Sequence, residues 1–148
     1  QEQFGRLNLI GEQSFRNMLD WQIQQSRRYG SSAKGALLLL RFVNLNQALS
    51  QTQGLAMLDN LVERIQETVR DTDRSTRTRE ELLWLLLPQT DRNGMQKLWQ
   101  RLSELTQLFP DQDGLQLEVR FAGFELPEDL LSGEDGSLFM ARLTGEVS

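Results

Sequence analysis

The sequence predicts an α/β fold, an α+β sandwich in which helices cover a central sheet. Three observations carry that expectation. Apolar segments of helical period alternate with apolar segments of strand length, the pattern of a sheet flanked by helices. Two strand candidates, 36–40 and 82–87, are continuous apolar runs, as expected of strands buried on both faces. The 148 residues, 39% hydrophobic and 25% charged, are enough for one cored domain and argue against disorder.

Each element follows from local pattern. Over 12–29, Phe15, Met18, Leu19 and Ile23 fall at helical spacing, and Gly30-Ser31-Ser32 ends the helix as glycine does beyond a C-terminus. Residues 35–43 read as a central strand; leucine is not a strong strand former, but a strand covered on both faces tolerates it. A second helix spans 55–69, with Leu55, Leu58, Leu61, Val62, Ile65 and Val69 as its apolar stripe. Polar residues 70–78 lead into the run 82–87, a strand or hairpin stopped by Pro88. Asp91 is placed to cap a third helix carrying Met95, Leu98, Trp99, Leu102, Leu105 and Leu108, which Pro110 and the turn 111–114 close. Alternation of Leu115, Leu117, Val119 and Phe121 predicts a strand over 115–125. A loop through Leu126-Pro127-Glu128-Asp129 precedes a short last helix containing Leu138, Phe139 and Ala141. Trp84 and Trp99 sit on apolar faces and read as core, whereas Trp21 lies off its helix's main stripe and suits a contact with another domain.

Composition excludes several chemistries. Cysteine and histidine are both absent, which removes disulfides, thiolate nucleophiles, Cys/His zinc sites and histidine acid–base catalysis. A net charge of −5 argues against nonspecific binding of DNA or RNA, but a small anion held by local arginines remains compatible with it. Neither apolar run, 36–40 or 82–87, is long enough to cross a bilayer. The start at Gln1-Glu2-Gln3, without methionine, reads as a piece of a longer protein, with 1–11 a lead-in and 12–148 the domain.

Four short motifs, in order, carry a resemblance. Arg27-Arg28-Tyr29-Gly30 precedes the first strand, and Arg70-Asp71-Thr72-Asp73 ends a helix. Leu85-Leu86-Leu87-Pro88-Gln89-Thr90-Asp91 opens the next helix, and Gly123-Phe124-Glu125-Leu126-Pro127-Glu128-Asp129 follows a strand. Together they resemble a GGDEF domain, the diguanylate cyclase fold of bacterial cyclic di-GMP signalling, over roughly residues 6–145. The resemblance implies a nucleotidyl-cyclase-like, mostly antiparallel sheet of five strands flanked by helices.

It also implies a degenerate catalytic site. The family signature Gly-Gly-Asp/Glu-Glu-Phe falls on Arg79, Glu80, Glu81, Leu82 and Leu83. Side chains replace the two glycines that permit close approach to phosphate, and Glu80 adds a negative charge there. The metal-binding acids of the family fall on Leu82, Arg41 and Val43, which supply no hard oxygen ligand for magnesium. Arg41 at a strand end suits either solvent or a pair with Glu80 or Glu81. The loop from Asn44 to Gly54 is shorter than the family's, and Leu55 stands where a guanine-binding Asp is usual. Arg142 is placed to replace a phosphate-holding lysine, while Glu146 stands where a second basic residue is usual. The resemblance therefore implies no enzyme, no catalytic residue, no metal and no cofactor.

The family's product-binding motif is retained. Arg70-x-x-Asp73 is followed by five residues, 74–78, and then Arg79, the family spacing. An arginine fork can donate to guanine O6 and N7 while a carboxylate accepts from N1–H and the exocyclic amine. A second family arginine, on the helix after the signature strand, falls on Arg101, and Arg74 and Arg77 add cations beside the site. The implied function is an inactive receptor for cyclic di-GMP, signalling to attached domains or a partner protein, with a homodimer also compatible. The implied location is the cytoplasm, alone or as the cytoplasmic part of a membrane-attached protein, in biofilm-type regulation. Two alternatives stand beside it: a nucleotide-free dimerisation or docking scaffold, and retained GTP binding without turnover. A solvated helix end is the plainer reading of Arg70 and Asp73.

Overall fold

The structure, a computed structural model, describes residues 9–50, 54–107 and 118–147. In chain order it contains α1 (Glu12–Tyr29), a 3-10 turn (Gly30–Ala33), β1 (Gly35–Phe42), α2 (Leu45–Leu49), α3 (Gly54–Thr68), β2 (Arg74–Thr78), β3 (Leu82–Pro88), α4 (Arg92–Thr106), β4 (Val119–Leu126) and α5 (Gly136–Val147). The sheet runs β2-β3-β1-β4, and each neighbouring pair is antiparallel.

The two leucine-rich strands lie in the middle because both of their faces are covered. Leu38, Leu40, Leu83, Leu85 and Leu87 face one core with Leu58, Leu61 and Ile65 of α3 and Met95 and Leu102 of α4. Leu37, Leu39, Leu82, Trp84 and Leu86 face the other, with Phe15, Leu19 and Ile23 of α1 and Phe139, Met140 and Leu143 of α5. Alternation along each strand thus sorts a continuous apolar run into two cores. In register, Leu38 lies between Leu85 and Gly123, so β1 is the centre of the ladder. Trp84 is fully buried and its indole N–H donates to Thr78 Oγ1 at 2.8 Å. Trp99 is half-buried and stacks on Phe121. Trp21 is 61% exposed.

The helix ends follow their chemistry. Gly30 takes φ of +60°, a left-handed stop that suits glycine, and its N–H returns to Ser26 O. Asp91 caps α4, accepting from Gly94 N–H at 2.9 Å.

Three expectations change. The sheet has four strands among the described residues rather than five; beyond β2 the only further pairing is a single parallel bridge between Leu9 and Ser75. The polar segment 70–78 divides into a turn and the strand β2, so Arg70 and Asp73 follow α3 rather than close it. The stretch after Asn44 contains the short helix α2. Leu108, Leu115, Leu117, the turn 111–114 and most of the lead-in lie outside the described residues, as do the side chains of Leu55 and Glu146.

Candidate functional site

Of the residues singled out by the sequence, Arg70 and Asp73 fall at the open end of the β2–β3 hairpin and Arg79, Glu80, Glu81 and Leu82 at its closed end, while Arg101 lies on α4 and Arg142 on α5. At the open end, residues 70–73 form a turn closed from both sides. Asp73 N–H donates to Arg70 O at 3.0 Å, and Arg70 N–H donates to Asp73 Oδ2 at 2.9 Å. The Arg70 guanidinium donates to Asp73 Oδ1 at 3.1 Å, to Pro88 O at 2.8 Å and to Thr90 Oγ1 at 2.6 Å. Thr90 is buried and donates in turn to Pro88 O. The Asp73 side chain is 2% exposed and that of Arg70 54%. Asp73 is therefore turned to Arg70 and orients it.

Beside this turn lies a cleft of about 350 Å³, within the size range of small-molecule sites. Val69, Leu87 and Leu98 give it an apolar part, and Arg70, Thr90 and Asp91 line it. Gly94, Lys97 and Arg101 project into it from α4, spaced so that they share one helix face. Lys34, just before β1, enters from the other side, where Gln89 N–H donates to its carbonyl at 3.0 Å. Gln89 holds φ of +54°, a left-handed conformation unusual for a side chain of this kind. The fold thus joins Arg70, Asp73 and Arg101 in one cleft and adds Lys34, Lys97 and Thr90, which the sequence did not single out.

Arg74 and Arg77 are not brought there. Arg74 donates to the carbonyls of Asp71 and Asp73 at 2.6 and 2.8 Å. Arg77 donates to Glu80 O at 2.7 Å and lines a separate depression with Leu49, Leu58, Arg79 and Glu80. Three positions apart on one strand, these two arginines project to opposite faces.

At the closed end of the hairpin, Arg79 and Glu80 adopt φ of +54° and +62°. The turn keeps the left-handed backbone that glycine adopts freely, although neither residue is glycine. Arg79 pairs with Glu81 at 3.0 Å, so the expected pairing of Arg41 with Glu80 or Glu81 does not form among the described residues. Arg41 is instead half-buried opposite Leu82 in the β1–β3 register. Leu82 and Leu83 are buried in the two opposite cores. A magnesium ion, which the resemblance implies for the family at these positions, would find no oxygen side chain on Leu82, Arg41 or Val43, so these residues do not fit the metal. Among the described residues no three acidic side chains converge as a metal site.

Arg142 also takes a structural place. It grips buried Glu134 through Nε at 2.7 Å and Nη2 at 2.9 Å and donates to Asp129 O, which leaves it committed at the start of α5 rather than poised for phosphate. The Arg142 hydrogen bond holds the Glu134 carboxyl below its ordinary range, against the effect of burial and with help from Leu131 N–H. Glu125, bonded to Arg92 at 2.7 Å, raises the guanidinium of that arginine further above its ordinary value.

The fold is one known from solved structures. A sensory box/GGDEF family protein from Caulobacter crescentus superposes with a TM-score of 0.72 at 19% identity, over 93% of this chain and 89% of that one. The GGDEF domain of TpbB (YfiN) from Pseudomonas aeruginosa gives 0.71 at 16%, over 90% and 78%. The GGDEF domain of DgcB from Caulobacter crescentus, solved in complex with c-di-GMP, gives 0.68 at 14%, over 93% and 82%. No curated protein matches the chain. The model of the family described as "Diguanylate cyclase, GGDEF domain" matches residues 8–121. The chain belongs to the GGDEF family.

Proposed function

We propose that this chain is a catalytically inactive GGDEF domain that binds cyclic di-GMP in the cleft beside Arg70 and passes the signal to attached domains or a partner protein. One observation carries the reading: a half-exposed arginine, fixed by a buried carboxylate, a carbonyl and a threonine, borders the same cleft as Arg101. Pre-orientation of this kind lowers the entropy lost when an arginine engages a ligand. Inactivity is supported by side chains in both glycine positions of the signature and by Leu82, Arg41 and Val43 at the acid positions. Binding regulates only to the extent that two domain arrangements differ in affinity. A docking scaffold is the second reading, favoured by Trp21 and Met18 exposed along an apolar groove with Leu86 and Pro88.

Calorimetry separates the two. Cyclic di-GMP titrated into the wild type binds at micromolar or tighter affinity, and Arg70→Ala abolishes it; silence in the wild type refutes the receptor and leaves the scaffold. Incubation with GTP and magnesium yields no cyclic di-GMP by chromatography, and any turnover overturns the claim of inactivity.

A further inference from the structure

We infer that Lys34 and Lys97, both outside the Arg-x-x-Asp turn, hold the phosphates of the ligand and make the cleft selective for a dianionic bis-phosphodiester. This rests on the cyclic di-GMP reading above and adds its charge selectivity.

The cleft carries four cationic side chains, Lys34, Arg70, Lys97 and Arg101, against two carboxylates, Asp73 and Asp91. Its net charge of +2 is local, since the chain as a whole carries −5. Neither carboxylate pairs with a lysine among the described residues: Asp73 is turned to Arg70, and Asp91 caps α4 through Oδ1. Among the described residues, the side chains of Lys34, Lys97 and Arg101 have no hydrogen bond or ion pair. Arg101 also borders a shallow depression with Glu67 and Glu104, but pairs with neither.

The cations divide by chemistry. Arg70 and Arg101 carry planar forks suited to a purine edge or face, and Arg70 is already aimed by its protein partners. The two lysines are point charges with three rotatable donors, suited to phosphate oxygens. Lys97 stands one helical turn before Arg101, so the two side chains are neighbours on one helix face and can meet adjacent groups of one ligand. Lys34 faces them from the β1 side of the cleft. A ligand with two phosphodiesters meets both lysines, whereas one with none gains nothing from them.

The test titrates cyclic di-GMP into the wild type, Lys34→Gln, Lys97→Gln, the double variant and Arg70→Ala, at about 50 mM and about 500 mM NaCl. Both lysines are exposed, so the variants keep the wild-type unfolding midpoint. Each single lysine variant weakens binding about tenfold and the double about a hundredfold, in line with charged hydrogen bonds. Salt weakens the wild type steeply and the double variant much less. If the double variant binds within about threefold of wild type while Arg70→Ala does not bind, the lysine assignment is wrong and the receptor reading survives. Wild-type protein that binds nothing removes both.

Discussion

Replacing Asp73 by alanine separates a carboxylate that builds the turn from one that meets the ligand. The side chain is 2% exposed and receives both the Arg70 N–H and the Arg70 guanidinium. Truncation leaves a part-buried N–H unpaired, which costs about 1–3 kcal/mol, and removes the charge pair. The pair itself contributes less than a buried one, because the guanidinium is 54% exposed and screened by water. The expected loss is about 2–3 kcal/mol, or roughly 5–10 °C in Tm for a domain of this size. Arg70→Ala costs about 1–3 kcal/mol, since water reaches the vacated place but the buried Asp73 carboxylate loses its charged partner, and it abolishes ligand binding as fully. Urea unfolding followed by tryptophan fluorescence gives both stabilities, and calorimetry gives both affinities. The positioning role is refuted if Asp73→Ala unfolds within about 0.5 kcal/mol of wild type, or if it keeps the wild-type affinity for the ligand.

Other expectations follow from the same packing. Arg79→Gly with Glu80→Gly stabilises the chain by about 1 kcal/mol in urea titration, because relief of two left-handed side chains outweighs the added flexibility of glycine. Gly136→Ala destabilises by about 1–3 kcal/mol, since a Cβ there would lie 2.7 Å from Asp20 Oδ1 and 3.2 Å from Asp20 N, and α5 would be pushed off α1. Glu134 has a lowered folded pKa, so its stabilising share is complete above the ordinary carboxylate value of about 4.3 and is lost as pH falls through the folded value. Unfolding midpoints measured from pH 7 down to about pH 3 show this loss, and Glu134→Gln removes that part of the slope.

The central strands and the long helices were legible in the sequence because burial on both faces leaves unbroken runs such as 36–40, and burial on one face leaves a stripe such as Leu58, Leu61 and Ile65. β2 escaped because its buried residues, Ser75 and Thr76, are polar; Ser75 Oγ is satisfied by Gln66, a partner that only tertiary contact supplies. Arg70, Asp73 and Arg101 were found through motif spacing, and the cleft does gather them. Lys34 and Lys97 carry no local signal, since one precedes β1 and the other rides on α4. Arg74 and Arg77 were misplaced by proximity in sequence, which says little about direction once the chain is extended. Thr90 had a faint cue, its place between Pro88 and a helix cap.

The β2–β3 hairpin has a further consequence for how such a domain can change over time. Six residues of β3, 82–87, about 20 Å of extended chain, separate the Arg79–Glu81 bend from the Pro88–Asp91 wall. At that distance, substitutions at one end add to those at the other with little coupling. Substitutions at the bend therefore leave the grip on Arg70 untouched. A hairpin of this length lets its two ends vary independently of one another.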